Sequence, residues 1–99
     1  MTTPSRATAP DIRPGYPSDF PRLRRAWDYC WIELSRGDWL AAPELAHAAA
    51  NQISPPLTDG ATRTVLRYAV AAGLIERQLR MVHGDRGARR VAFYRLCRA

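Results

Sequence analysis

The placement of eight prolines limits where this chain of 99 residues can form helices. Five of them fall in the first 21 residues, among Thr, Ser and Ala, where little apolar mass is available for burial. Residues 1–17 are therefore predicted to form a flexible, proline-rich N-terminal arm. Further along, Pro55 and Pro56 exclude a helix because they lack backbone donors and bias the residue before them to extended geometry. We expect residues 18–99 to fold as one domain.

A repeat of apolar residues predicts the first helix over about residues 19–36. Its buried face carries apolar side chains at spacings of four, three and four residues: Leu23, Trp27, Cys30 and Leu34. We expect Ser18 or Asp19 to cap the start of this helix and Gly37 to end it, because a glycine after a helix readily adopts the left-handed conformation.

Two further helices are predicted on either side of the second proline cluster. One spans about 43–51 and starts on proline, which the first helical position tolerates. The other spans about 59–72, with Thr58 or Asp59 as its cap and Gly73 at its end. On a helical wheel, one side of this last helix is apolar. The other side is uncharged or cationic and is formed by Gly60, Arg63, Thr64, Arg67, Tyr68 and Ala71.

The pattern changes to that of strands towards the C-terminus. Residues 75–82 and 90–96 contain alternating or β-branched residues, and turn-forming residues lie between them, so a β-hairpin is predicted over about 75–97. Residues 38–41 suit a brief extended segment. The expected fold is mainly α with a β-hairpin, of the α+β class, in the order helix, strand, helix, helix, strand, strand.

Charge is distributed unevenly along the chain. All 15 cationic residues are arginine, and the net charge of the chain is +6. Residues 1–59 are close to neutral, whereas residues 60–99 carry a net charge of +7. This concentration indicates a polyanionic partner, and its alternative is a solvated basic surface.

The order of elements and three stretches of sequence point to one superfamily. The stretches read GDWLAAPELAHAA, TRTVLRYAVAAGLIERQ and GARRVAFYRL. Together they resemble the winged helix-turn-helix pattern of MarR-like and related small bacterial or phage regulators, over about residues 38–96. The connection between the second and third helices is longer than the usual tight turn. The resemblance implies a three-helix winged helix whose third helix reads the DNA major groove and whose hairpin forms the wing.

The exposed side of the third helix supplies the first group of candidate DNA-binding residues. Arg63 and Arg67 can each offer two donors to guanine, which is worth roughly 1–3 kcal/mol of discrimination. Thr64 and Tyr68 suit a base edge or a phosphate. Backbone N–H groups around Gly60 form a helix N-terminus that favours a phosphate.

The predicted hairpin supplies the second group. Arg86 lies at its tip and is expected to enter the minor groove, where the negative potential attracts arginine. Arg89 and Arg90 are expected to follow the DNA backbone. We expect Arg77 and Arg80 to lie on the solvent side of a strand rather than on DNA.

Residue patterns typical of enzymes are missing from the sequence. The two histidines and two cysteines lack the paired spacings of zinc sites, and without lysine the chain has no P-loop. A folded part of this size also leaves little volume to enclose a substrate. We therefore expect no enzymatic activity, no catalytic residues, no metal or other cofactor, and no small-molecule substrate.

Composition also bears on the setting in which the protein works. No stretch approaches the roughly 18 apolar residues of a membrane span, and no apolar signal region follows the first methionine. Two cysteines are too few for a disulfide scaffold. We expect a cytoplasmic, nucleoid-associated protein without membrane contact.

The expected partner is double-stranded DNA, bound by a sequence-specific transcriptional regulator. A homodimer through the first helix or the N-terminal arm is a further expectation, because two-fold regulators gain specificity from paired half-sites. Two alternatives stay open, since a fold does not determine a function. One is a phage or plasmid architectural factor of the excisionase type, and the other is a winged-helix module that binds an acidic protein.

Overall fold

The structure, a computed structural model, describes residues 9–13 and 15–97 of the chain. They form a small α+β domain of three helices and one three-stranded antiparallel sheet with the strand order β1-β3-β2. The predicted order of elements is confirmed. The elements are α1 (Pro21–Leu34), β1 (Leu40–Ala41), α2 (Ala42–Asn51), α3 (Asp59–Ala71), β2 (Ile75–Gly84) and β3 (Gly87–Leu96).

Helix α1 is shorter at both ends than the sequence predicts. Its cap position is Phe20, whose side chain has no polar atom to make a capping bond. The Ser18 hydroxyl lies outside the helix and donates to Asp11 at 2.6 Å. The predicted caps at Ser18 and Asp19 are therefore wrong. The chain leaves the helix after Leu34 and turns at Gly37, whose φ of +93° is readily adopted only by glycine. The fully buried side chains on α1 are those of Ala26, Trp27, Cys30 and Leu34.

Helices α2 and α3 follow the predicted bounds to within one residue. The Thr58 hydroxyl caps α3 by accepting a hydrogen bond of 3.1 Å from the backbone N–H of Ala61. Gly73, with a φ of +77°, ends α3 and allows the chain to enter β2. The buried side chains of α3 are Thr62, Val65, Leu66 and Ala69, as the helical wheel predicts.

Strands β2 and β3 form the predicted hairpin. Gly84 pairs with Gly87, so Asp85 and Arg86 alone make up its turn. Gly87 has a φ of +102°, a conformation that a residue with a Cβ rarely adopts. At the other end of the hairpin, Ile75 pairs with Leu96.

The hydrophobic core lies between the three helices and the base of the sheet. Strand β1 pairs with β3 through Leu40 opposite Tyr94, and this pairing holds the hairpin against the N-terminus of α2. Ile75 and Tyr94 are buried at the hairpin base, whereas the outer half of β2 is largely exposed. The outer part of the hairpin therefore projects away from the helices, and both of its faces are accessible. Within the described part of the chain, no helix has the length and apolar character needed to cross a bilayer.

The predicted flexible arm over residues 1–17 differs from the structure in its second half. Ala9, Ile12 and Pro17 are buried, Ala9 and Asp11 bond to side chains of α1, and the Tyr16 ring packs against α3. Residues 1–8 and 14 of the predicted arm lie outside the described residues.

Candidate nucleic-acid interface

A cleft with a volume of about 340 Å³ separates α3 from the hairpin. Five of the residues that line it are arginines, and no acidic side chain is among the described residues around it. The hydrophobic part of the lining comes from the start of α2 and from β3. The full lining is Ala42, Pro43, Arg63, Arg67, Arg77, Arg89, Arg90, Val91, Ala92 and Tyr94.

Helix α3 supplies two of the five arginines at a spacing of one turn. Arg63 and Arg67 are both exposed, and four residues apart they lie on the same helix face. The opposite face is held in the core by Leu66 and Ala69, which are fully buried. Burial of the apolar side thus fixes the direction in which both guanidinium groups project. This arrangement agrees with the helical wheel.

The hairpin supplies the other three arginines. Arg77 is directly opposite Tyr94, so both side chains lie on the same face of the hairpin. Arg90 is four residues before Tyr94 on β3 and lies on that face as well. Arg89, the third, is adjacent to Arg90 and opposite Val82, so its side chain projects from the other face of the hairpin. It borders the cleft, a concavity beside Phe93 on that other face, and a third concavity at the hairpin tip.

The five cleft arginines carry no counter-charge within the part of the chain that is described. The arginines that form ion pairs with acidic residues there are Arg24, Arg36 and Arg95. Like charges gathered around one cleft repel one another and create a positive potential that favours an anion. The cleft therefore has the electrostatics of a polyanion-binding surface.

Arg86 lies apart from the cleft, in the turn of the hairpin. The concavity there is lined by Arg86 together with Asp85 and Arg89. Asp85 is the one acidic residue in this lining and offsets part of the charge of Arg86. Through Arg89, the tip is continuous with the cleft.

Two candidate residues on α3 are engaged inside the protein. The Thr64 hydroxyl donates to the backbone oxygen of Gly60 at 2.9 Å and is half-buried. The Tyr68 ring packs against Tyr16, with 4.7 Å between ring centroids, and the Arg13 guanidinium carbon lies 4.4 Å from the Tyr68 centroid. The expectation that Tyr68 faces outward as a free contact is therefore corrected. Sequence periodicity places Tyr68 on the right helix face but cannot show that the N-terminal segment covers it.

Groups of the protein itself also engage part of the N-terminus of α3. Gly60 is exposed, but the neighbouring Ala61 N–H already donates to Thr58. Asp59 lies there too, and its carboxylate is 3.4 Å from the His47 ring. A carboxylate at this position competes with a phosphate for the positive end of the helix. The predicted phosphate site around Gly60 is weaker than the sequence indicates.

Arg77 is exposed, as expected of a residue on the solvent side of a strand, but its side chain also lines the cleft. The signal that reveals it is the two-residue period of a strand, because Arg77 has the same parity as the buried Ile75. Arg80 has the opposite parity and lies 5.1 Å from the Trp39 ring and 4.8 Å from the Phe93 ring. The far side of the hairpin thus holds Arg80 by cation–π contacts, away from the cleft.

The potential metal ligands and the thiols of the described residues lie outside the lining of the cleft. No group of three or more His, Cys, Asp or Glu side chains within residues 9–13 and 15–97 is arranged to hold a metal ion. Cys30 is enclosed in the core, where burial raises the pKa of its thiol to about 12, and Cys97 is exposed. Comparison of the chain with protein-family models, curated proteins and solved structures finds no match.

Proposed function

We propose that this protein binds double-stranded DNA through the cleft between α3 and the hairpin, in the manner of a winged helix. The observation that carries the proposal is the meeting of five arginines from α3, β2 and β3 around one cleft without an acidic side chain among its described lining. Guanidinium groups form bidentate contacts with phosphates and with guanine, and they are more weakly hydrated than ammonium groups. A duplex offers both kinds of acceptor within reach of a surface of this size.

Helix α3 is the element that enters the major groove in this proposal. An α-helix fits the width of that groove, and its exposed side then meets the edges of the bases. Arg63 and Arg67 project from that side one turn apart and can contact neighbouring base pairs. Tyr68 is covered by Tyr16, so the reading segment of α3 ends at Arg67 rather than extending over its whole length.

The hairpin lies along the DNA backbone beside the helix. Arg77, Arg89 and Arg90 contact phosphates on the flank of the groove, and Arg86 at the tip reaches the adjacent minor groove. If each of these four hairpin arginines neutralises one phosphate, the logarithm of the binding constant falls with the logarithm of salt concentration with a slope of about −3.6. The biological role we propose is sequence-specific regulation of transcription in the cytoplasm, and homodimerisation would supply a second half-site.

The test begins with selection of duplexes from a random pool, followed by fluorescence titration of the preferred duplex at stated salt. The variant Arg63→Ala with Arg67→Ala is expected to lose sequence-specific binding while its melting temperature stays nearly unchanged. Both residues are exposed on the side of α3 away from the core.

A matched control removes the same charge elsewhere. Arg25 and Arg36 on and just after α1 are exposed and do not line the cleft. The variant Arg25→Ala with Arg36→Ala should bind almost as tightly as the unmodified protein. Equal losses in both double variants would mean that net charge alone drives binding. Unchanged affinity in the α3 variant would overturn base reading by this helix.

A further inference from the structure

Two of the large apolar side chains exposed in the described chain lie side by side on β2. Leu79 is 49% exposed and Met81 is 55% exposed. They are two residues apart in one strand, so both project from the same face of the hairpin. Exposed apolar side chains that neighbour one another in the middle of a strand indicate a contact surface more strongly than scattered ones do.

This apolar pair is continuous with the arginine cleft. Leu79 is opposite Ala92 and Met81 is opposite Arg90, and both of these β3 residues line the cleft. Arg77, which also lines the cleft, precedes Leu79 by two residues and projects from the same face. The pair is thus flanked by guanidinium groups along β2 and across to β3.

The charges around the pair decide between possible occupants. A second copy of this chain bound through the same face would place its own Arg77 and Arg90 near the Arg77 and Arg90 of the first copy. Like charges directly opposite one another are destabilising. A DNA duplex instead presents phosphates to the arginines and stacked bases to the apolar side chains. Leucine and methionine are among the residues that enter between base steps from the minor groove.

Building on the DNA binding proposed above, we propose that Leu79 and Met81 form a wedge that enters the minor groove between base pairs and bends the duplex. Arg77 and Arg90 hold phosphates on either side of the opened step. Partial unstacking is compensated by the contact that the bent duplex makes with the rest of the hairpin. The protein then shapes its DNA site as well as reading it.

The experiment measures energy transfer between dyes at the two ends of a duplex of about 30 base pairs, at saturating protein. The full chain is expected to raise the transfer efficiency, because bending brings the ends together. The variant Leu79→Thr with Met81→Thr keeps strand propensity and all arginines. It is expected to bind the same duplex, with affinity within about tenfold, and to leave the transfer efficiency near that of free DNA.

A matched control changes the two other large apolar side chains that are exposed within the described residues, through Phe20→Ala with Ile32→Ala, and should bend DNA like the unmodified protein. Absence of binding by the unmodified protein would refute DNA binding itself. Binding without any bend would refute the wedge and leave DNA binding standing. Undiminished bending by the threonine variant would show that other residues act. A DNA-free dimer in sedimentation that the threonine variant loses would assign the apolar pair to a second copy instead.

Discussion

The indole Nε1 of Trp27 donates a hydrogen bond of 2.8 Å to the backbone oxygen of Pro10. Trp27 is fully buried in α1, and without this bond its indole N–H would be a buried donor with no acceptor. The Ala9 N–H donates to Asp28 at 3.2 Å, and the Arg24 guanidinium is 2.7 Å from the Asp11 carboxylate. These bonds attach the segment around residues 9–11 to α1 and make it part of the folded domain.

Replacement of Ile12 tests whether this segment contributes to stability. Ile12 is 7% exposed and packs in the core cluster. Ile12→Ala removes buried methylenes and is expected to lower the free energy of unfolding by about 2 kcal/mol, which chemical denaturation measures. The control Ile32→Ala, at an exposed position of α1, should change it by about 0.5 kcal/mol or less. Equal values for both variants would show that the N-terminal segment does not pack on the domain.

Arg77 and Arg80 carry the same charge on the same strand but project to opposite faces. Arg77→Ala is expected to weaken DNA binding and to reduce the salt slope by about one, because one phosphate contact is lost. Arg80→Ala removes a group stacked on Trp39 and Phe93, so we expect a small loss of stability and little change in binding. Fluorescence titration at several salt concentrations measures both effects. A larger loss of binding in Arg80→Ala than in Arg77→Ala would place the DNA on the Arg80 face of the hairpin, against the proposal.

Arg86 at the hairpin tip is expected to add affinity without sequence preference. Arg86→Ala should weaken binding to preferred and random duplexes by a similar factor and flatten the salt dependence by about one. The fold of the Arg86→Ala variant should be unchanged, because Arg86 is exposed in a two-residue turn. Titration of the two duplexes in parallel provides the measurement. A change confined to the preferred duplex would mean that Arg86 reads bases.

Local patterns account for the parts of the fold that the sequence predicts. Leu66 and Ala69 repeat with the helical period and are buried, and glycines 73 and 87 end or begin elements where φ is positive. The N-terminal segment escapes such patterns because its burial depends on α1. The expected cap at Ser18 fails for a similar reason, since its hydroxyl bonds to Asp11 instead.

The same distinction between local patterns and contacts of distant residues applies to the candidate site. Arg63 and Arg67 follow from the wheel, because one helix alone determines their direction. Tyr68 depends on a contact between distant parts of the chain, because Tyr16 covers the tyrosine ring. Strand parity would have identified Arg77, but no local signal in the sequence places Tyr16 on α3.

The two cysteines are expected to differ in reactivity. Cys30 is fully buried and the pKa of its thiol is raised to about 12, chiefly by burial, whereas Cys97 is exposed. Because the thiolate is the reactive form, a disulfide reagent at about pH 8 should modify Cys97 in the native protein and both cysteines after denaturation. Rapid modification of both in the native chain would contradict the burial of Cys30.

The same burial makes stability depend on pH. An unfolded Cys30 thiol loses its proton near its ordinary pKa of 9.0, whereas the folded thiol keeps it to about pH 12. The native state therefore binds more protons over this interval, and the free energy of unfolding falls as pH rises through it. Cys30→Ala should show a shallower fall in urea denaturation between about pH 8 and 10, because Tyr16 and Tyr29, whose pKa values burial raises, still contribute to the fall but this thiol does not. Parallel curves for the two proteins would mean that Cys30 ionises equally in the folded and unfolded chains.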